Sequence, residues 1–254
     1  MAAPTTKRLR GLVLPVLLIA GWYYASRQGG GWSYAFVPLP DIGRSFAELW
    51  ASGEFSLHVL ATLGTALTGL ACGALAGILL GTAMAMIRPV DIVLGPLFNA
   101  MRQVPTIGLI PLIALWFGTG EFSIRLLVSI AVFEVMALNT REGLRMVEPR
   151  YLELGRALLF TRAQAFRRIL LPTALPSILT GLLQAVSFAW MATIGAELLF
   201  TVGPGLGVIM ERAQLQARMD MAIVCLILIG AMGYAMNALC VSLGRRVLRW
   251  RHAG

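Results

Sequence analysis

Between Phe55 and Ile87 the chain runs for 33 residues without a formally charged side chain. A helix needs only about 20 apolar residues to cross the hydrocarbon core of a bilayer. This run therefore predicts a membrane span with length to spare, tilted or projecting beyond the lipid. Within it, Gly69, Gly73, Gly77 and Gly81 recur at every fourth position. That spacing puts them on one helix face, where a second helix backbone can come close. Composition extends the conclusion to the whole chain, which is 58% hydrophobic and 13% charged. Soluble domains are roughly 45–50% apolar and about 25% charged. The predicted class is an all-α polytopic membrane protein.

The remaining chain divides the same way. Residues 1–55 are expected to hold an N-terminal helix over about 11–25, behind the basic Lys7-Arg8-Leu9-Arg10, and then an exported loop with a short helix near Ile42–Ser52. Trp22, Tyr23 and Tyr24 would stand at the far interface. Residues 56–254 form the membrane core, with spans expected at about 57–87, 94–117, 122–140, 175–200 and 221–243. Pro105 and Pro111 should kink the second of these, because each removes a backbone donor. Thr201 to Asp220, with Gly203-Pro204-Gly205-Leu206-Gly207, reads as a flexible exported loop. Of the 21 Lys and Arg residues, only Arg27, Arg44, Arg125, Arg212 and Arg218 fall on the outer side of this arrangement. The bias predicts six transmembrane helices with both termini in the cytoplasm.

Several function classes are disfavoured. The net charge of +9 comes from few charges and matches cytoplasmic flanks better than a nucleic-acid surface. Cys72, Cys225 and Cys240 sit in apolar runs, and His58 and His252 are far apart, so no metal-ligand cluster is expected. No GxxxxGK[ST] phosphate loop occurs. Nor do paired carboxylates or an activated nucleophile converge as in a membrane enzyme. A channel or secondary transporter stays open as a rival, although no internal repeat supports it.

The unusual stretch is cytoplasmic, at about 148–172. Glu153 to Arg168 favours helix and mixes Arg156, Arg162, Arg167 and Arg168 with Leu158, Leu159, Phe160, Phe166 and Ile169. One helix along the inner surface would bury Leu158, Phe160, Phe166 and Ile169, expose the arginines, and end at Leu171-Pro172. Such a helix could contact anionic lipid or dock a partner, and the residue pattern alone fits both equally.

This stretch resembles the signature of the permease subunits of bacterial ABC importers: E-A-A, three residues, G, nine residues, I-x-L-P. Glu153 and Ile169-Leu170-Leu171-Pro172 hold their places; Leu154-Gly155 replaces the Ala pair and Leu159 the turn glycine. IPLIALWFGTGE, LNTREGLR, RRILLPTALPSIL, IGAELL and GPGLG are similar to the sulfonate, taurine and nitrate permeases of that family, and the likeness spans Leu57 to Trp250. Permeases for vitamins and pyrimidine precursors share this subgroup.

The resemblance implies a type I importer permease fold, with coupling helices between helices 4 and 5. It assigns ATPase coupling to Glu153, Leu154, Gly155, Arg156, Ala157, Leu159, Phe160, Arg162, Phe166, Arg167, Arg168, Ile169, Leu171 and Pro172. It implies an ATPase subunit dimer that uses ATP and Mg, a second permease copy, an extracytoplasmic solute-binding protein and a bacterial inner-membrane location. No cofactor is expected on this chain, and no enzyme activity of its own. Leu159 disfavours a left-handed turn, so either a different turn or freedom supplied by Gly155 is expected. Intramembrane carboxylates are costly and default to function, which makes Glu197, Glu134 and Asn139 candidates for the translocation pathway. The competing roles are a buried hydrogen-bonded contact for Glu197, a helix–helix contact for Glu134 and a helix-end cap for Asn139. Arg102 and Gln103 are expected near the inner mouth, at lipid headgroups.

Overall fold

A computed structural model describes residues 5–27 and 36–247. Gly29-Gly30-Gly31 and the basic tail beyond Val247 lie outside the described residues, as do the side chains of Lys7, Arg8 and Arg10. Among the described residues all regular structure is helical.

The order is α1 (Thr5–Ser26), α2 (Leu39–Ala51), α3 (Glu54–Met86), α4 (Arg88–Met101), a 3₁₀ turn (Thr106–Leu109), α5 (Ile110–Phe117), α6 (Glu121–Arg145), α7 (Pro149–Ala157), α8 (Arg162–Ala165), a π turn (Phe166–Leu170), α9 (Leu171–Phe200), α10 (Leu206–Leu215) and α11 (Met219–Val247). Three helical stretches are long and apolar enough to cross a membrane: α3, the continuous helix 162–200 and α11. The bent pair of α4 with 106–117 makes a fourth if it counts as one span. Helix α6 is long enough, but it carries Arg125, Glu134, Arg141, Glu142 and Arg145 among its residues.

The core is α6 sandwiched between α3 and α9. The glycine stripe does what its spacing predicts. A Cβ on Gly77 would lie 2.8 Å from the Phe133 carbonyl oxygen, and one on Gly81 would lie 2.5 Å from that of Ala137. The helices approach backbone to backbone, which suits lipid, where close packing replaces the hydrophobic drive of water. Small residues carry the same contact on the other side, with Ala131 of α6 and Ala174, Ala185, Ala189 and Ala192 of α9 in one buried cluster. Against it pack Phe166 and Leu170 of the π turn. Large apolar side chains such as Leu60, Leu75, Leu97, Trp116 and Leu226 point outward instead, as lipid-facing surfaces do.

Three expectations need correction. The stretch expected as a kinked span at 94–117 is two helices that meet at 91°. Pro105 sits in the break and Pro111 begins α5, where its missing N–H costs nothing. Leu171-Pro172 does not end a helix. The Leu171 N–H reaches back five residues to the Phe166 carbonyl, and Pro172 occupies the first turn of α9. The wider π turn absorbs the proline, so the signature stretch runs straight into the long apolar helix 162–200. Lastly, Thr201–Asp220 is no featureless loop: Leu206, Gly207 and Val208 of α10 are buried.

Candidate functional site: the signature turn and the buried carboxylate

The signature stretch forms two arms. Helix α7 ends in a paired-bond cap: the Leu159 N–H donates to the Arg156 carbonyl at 2.9 Å, and the Phe160 N–H reaches back to the Gly155 carbonyl at 2.9 Å. This Schellman geometry needs a left-handed residue just past the helix, normally glycine. Leu159 takes that place with φ +54°. Both expected alternatives are therefore corrected. The turn keeps its usual shape, and Leu159 itself bears the strain, about 1–2 kcal/mol for an L-residue in that region. Gly155 stays helical and serves packing: a Cβ there would lie 2.7 Å from Ile169 Cδ1.

The second arm starts at Thr161. Its hydroxyl accepts from the Gln164 N–H at 3.3 Å, while the Gln164 carboxamide accepts from the Thr161 N–H at 2.8 Å. This reciprocal cap is the T-x-x-Q pattern of a helix start. It breaks the single helix expected over Glu153–Arg168, and the pattern was present in the sequence to be read.

Burial sorts the candidate residues. Phe160, Phe166 and Ile169 are half-buried, as expected, but Leu158 is exposed with Leu154 and Leu159. Leu159 is 89% exposed. Glu153, Arg156, Ala157, Arg162, Arg167 and Arg168 are exposed too, and Leu171 is partly so beside the half-buried Pro172. The Arg168 guanidinium lies 5.4 Å from the Phe160 ring centre, across the two arms. The turn thus projects leucines and arginines together. Its roots are Gly155 against Ile169, and Phe166 and Leu170 in the membrane core.

The pathway candidates separate. Glu197 is 2% exposed. Its Oε2 accepts from Thr62 Oγ1 at 3.1 Å and from the Gly207 N–H at 2.9 Å. Thr62 Oγ1 also accepts from the Leu206 N–H at 2.9 Å, and His58 Nδ1 from the Gly205 N–H at 2.8 Å. Glu197, Thr62 and His58 thereby satisfy successive orphan donors at the start of α10, where the helix dipole favours negative charge. The fit is close, since a Cβ on Gly205 would lie 2.6 Å from the Glu197 carboxyl carbon. Thr62 and His58 escaped the sequence reading, although their four-residue spacing on one helix face was available.

Asn139 is not a helix-end cap. It lies inside α6, where its amide donates to the Val135 carbonyl at 2.9 Å and to Gln184 Oε1 of α9 at 3.2 Å. Glu134 is half-buried one turn earlier and has no hydrogen bond among the described residues. Arg102 is close enough for the two charges to attract. Arg102 lies at the 91° break, its guanidinium 5.7 Å from the Phe98 ring centre, and that ring meets Phe133 of α6 at 6.1 Å. Two separate polar pairs thus lie along α6: Glu134 with Arg102 of the break, and Asn139 with Gln184 of α9.

Comparison with known proteins agrees with this architecture. The family model described as "Binding-protein-dependent transport system inner membrane component" matches residues 73–249. The chain is 30% identical over 246 residues to the putative aliphatic sulfonates transport permease protein SsuC of Bacillus subtilis, covering 96% of this chain and 88% of that protein. It is 31% identical to the SsuC of Escherichia coli (100% and 97%) and 31% identical to the taurine transport system permease protein TauC of Escherichia coli (93% and 87%). Among solved structures, a bacterial ABC transporter involved in import of the acidic polysaccharide alginate shares the fold, with TM-score 0.67 at 17% identity over 94% of this chain and 95% of that one. With a family model over most of its length and relatives at this identity, the chain belongs to the inner membrane components of binding-protein-dependent transport systems.

Proposed function

We propose that this permease subunit works as one of two identical copies, with an ATPase dimer on the cytoplasmic side and a solute-binding protein outside. It imports a small organic anion, an aliphatic sulfonate or taurine. In this reading six helices span the bilayer with both termini inside. The ATPase subunits bind and hydrolyse Mg-ATP, and this chain performs no catalysis. The turn from Glu153 to Pro172 enters a cleft on the ATPase, and nucleotide-driven closure there tilts α6 and α9 as rigid bodies. The observation that carries the reading is the left-handed Leu159 at the tip of two short helices. An 89% exposed leucine on a strained turn is a poor solvent surface and a good anchor for a partner.

Arg102 is assigned as the cation that meets a sulfonate at the helix break, and Glu134 balances its charge between passages; the Asn139–Gln184 pair of α6 and α9 is assigned as a second polar station. Glu197 is assigned to holding α10, not to touching substrate. The sulfonate choice is supported by relatives named for aliphatic sulfonates and taurine at 30–31% identity. An inorganic anion is the second reading, favoured by the 28% identity over 192 residues to the bicarbonate transport system permease protein CmpB of Synechococcus elongatus.

The test is ATP-dependent uptake of labelled taurine into proteoliposomes that hold this chain and the ATPase, with a taurine-loaded solute-binding protein supplied on the face opposite the ATPase. Uptake that ethanesulfonate competes supports the sulfonate reading. Uptake of bicarbonate or nitrate alone moves the substrate to the second reading. Uptake that persists without the ATPase returns the chain to the secondary-transporter class.

A further inference from the structure

The docking turn must act on the pathway through something, and one ion cluster lies between them. Asp91 sits in the first turn of α4. Its Oδ1 accepts from Arg141 Nη2 at 2.5 Å, and its Oδ2 from Arg145 Nη2 at 2.6 Å. The two arginines stand one turn apart at the end of α6, just before α7 begins the docking turn at Pro149. Arg145 Nη2 also reaches the Met84 carbonyl at 3.4 Å, so the same pair holds the end of α3. Gly95 leaves the next turn of α4 bare: a Cβ there would lie 3.4 Å from both Arg141 Nη2 and Asp91 Oδ1. At its other end α4 stops at the 91° break beside Arg102.

The cluster is incompletely satisfied. Among the described residues, two buried side-chain polar atoms lack a hydrogen-bond partner: Arg141 Nε in this cluster, and Thr140 Oγ1, whose side chain packs against Gly81 of α3. Buried polar atoms are nearly always paired, and exceptions call for a cause. The Arg141 guanidinium therefore keeps one free donor beside Asp91, capacity for a different arrangement of the same contact.

We propose that Asp91 is a positioning residue, the joint through which movement of the docking turn reaches α4 and so moves the helix break in the pathway. Two guanidiniums on the two oxygens of one carboxylate resist rotation as well as separation. When the docking turn moves the end of α6, α4 follows as one helix about 21 Å long at 1.5 Å per residue, unbroken through Pro96, and its far end shifts Arg102. The inference rests on the importer reading above.

The test uses the full complex of this chain with its ATPase in nanodiscs, with Cys72, Cys225 and Cys240 replaced by alanine. Spin labels at Met146→Cys, on the docking side of the joint, and at Val93→Cys, on the exposed face of α4, report copy-to-copy distances without nucleotide and after trapping with ATP and vanadate. Without further change both distances should respond. Asp91→Asn should leave the Met146 response intact and shrink the Val93 response at least twofold, while Asp91→Glu restores it. Arg145→Gln, which keeps the Arg141 pair and touches a half-exposed side chain, should give a smaller loss and serves if Asp91→Asn fails to assemble. A Val93 response of full size in both variants overturns the proposal. A Met146 label that ignores nucleotide without any change at Asp91 or Arg145 overturns the importer reading and the joint with it.

Discussion

Gly155 and Ile169 hold the two arms of the signature turn together: Ile169 Cδ1 fills the space where a Cβ on residue 155 would come within 2.7 Å. Glycine stands here where the family signature has alanine, and a small side chain would need only the end of Ile169 to shift, whereas a large one has no room. Gly155→Leu should force the arms apart. We expect normal membrane levels of the chain and at least a tenfold fall in ATPase recovered with it, measured by affinity purification of the complex. Unchanged recovery would mean that the arm-to-arm contact is irrelevant to docking.

Leu159 bears left-handed strain that glycine would not. Leu159→Gly should stabilise the closed turn by about 1 kcal/mol, the lower end of the strain cost, because the glycine's greater freedom when unfolded offsets part of the gain. Slower amide exchange over residues 155–162 reads this. The same variant loses the exposed side chain, so ATPase affinity should drop even as the turn tightens. An affinity that rises with the slower exchange would show that the turn's shape matters and the leucine does not.

Glu197 distinguishes an anchor from a pathway ligand. Glu197→Gln keeps an acceptor for Thr62 Oγ1 and the Gly207 N–H, so folding and uptake should stay within about twofold. Glu197→Ala leaves those buried donors unpaired, at about 1–3 kcal/mol. It should lower the temperature at which the detergent-solubilised protein aggregates. Lost uptake with unimpaired stability in Glu197→Gln would return the residue to the pathway.

The glycine stripe predicts intolerance to size. Gly77→Val pushes a side chain toward the Phe133 carbonyl oxygen and the Ala137 nitrogen, and overpacking of this kind costs about 1–3 kcal/mol. A sharply reduced yield of folded protein is expected. Gly64→Val, at a position with nothing within 4 Å of an added Cβ, should be tolerated and serves as the control.

The parts legible in the sequence were those with a local cause. The stripe from Gly69 to Gly81 announced its helix contact, because a four-residue period has one structural meaning on an apolar helix. The T-x-x-Q run from Thr161 to Gln164 likewise marked a helix start through a cap made by its own residues. What could not be read depended on contacts distant in sequence. Asp91 and Arg141 are 50 positions apart, and Thr62 and Glu197 are 135 apart, so neither pair leaves a local pattern. The left-handed Leu159 went against residue preference, because the backbone bonds of the cap and the Gly155–Ile169 contact fix the turn against the side chain's own bias. The 91° break was understated for another reason. Proline marks a lost donor, but the size of the bend is set by how α4 and α5 pack.

The central claim is that the turn led by Glu153 docks the ATPase. Glu153 is exposed and heads the signature, so Glu153→Lys reverses its charge without disturbing the packed roots at Gly155, Phe166 and Leu170. The decisive measurement is the amount of ATPase that co-purifies with tagged full-length chain, normalised to chain recovered from the membrane. The expected result is a loss of at least tenfold in Glu153→Lys at an equal membrane level. Full association in that variant, with ATP-driven uptake unchanged, would contradict the claim.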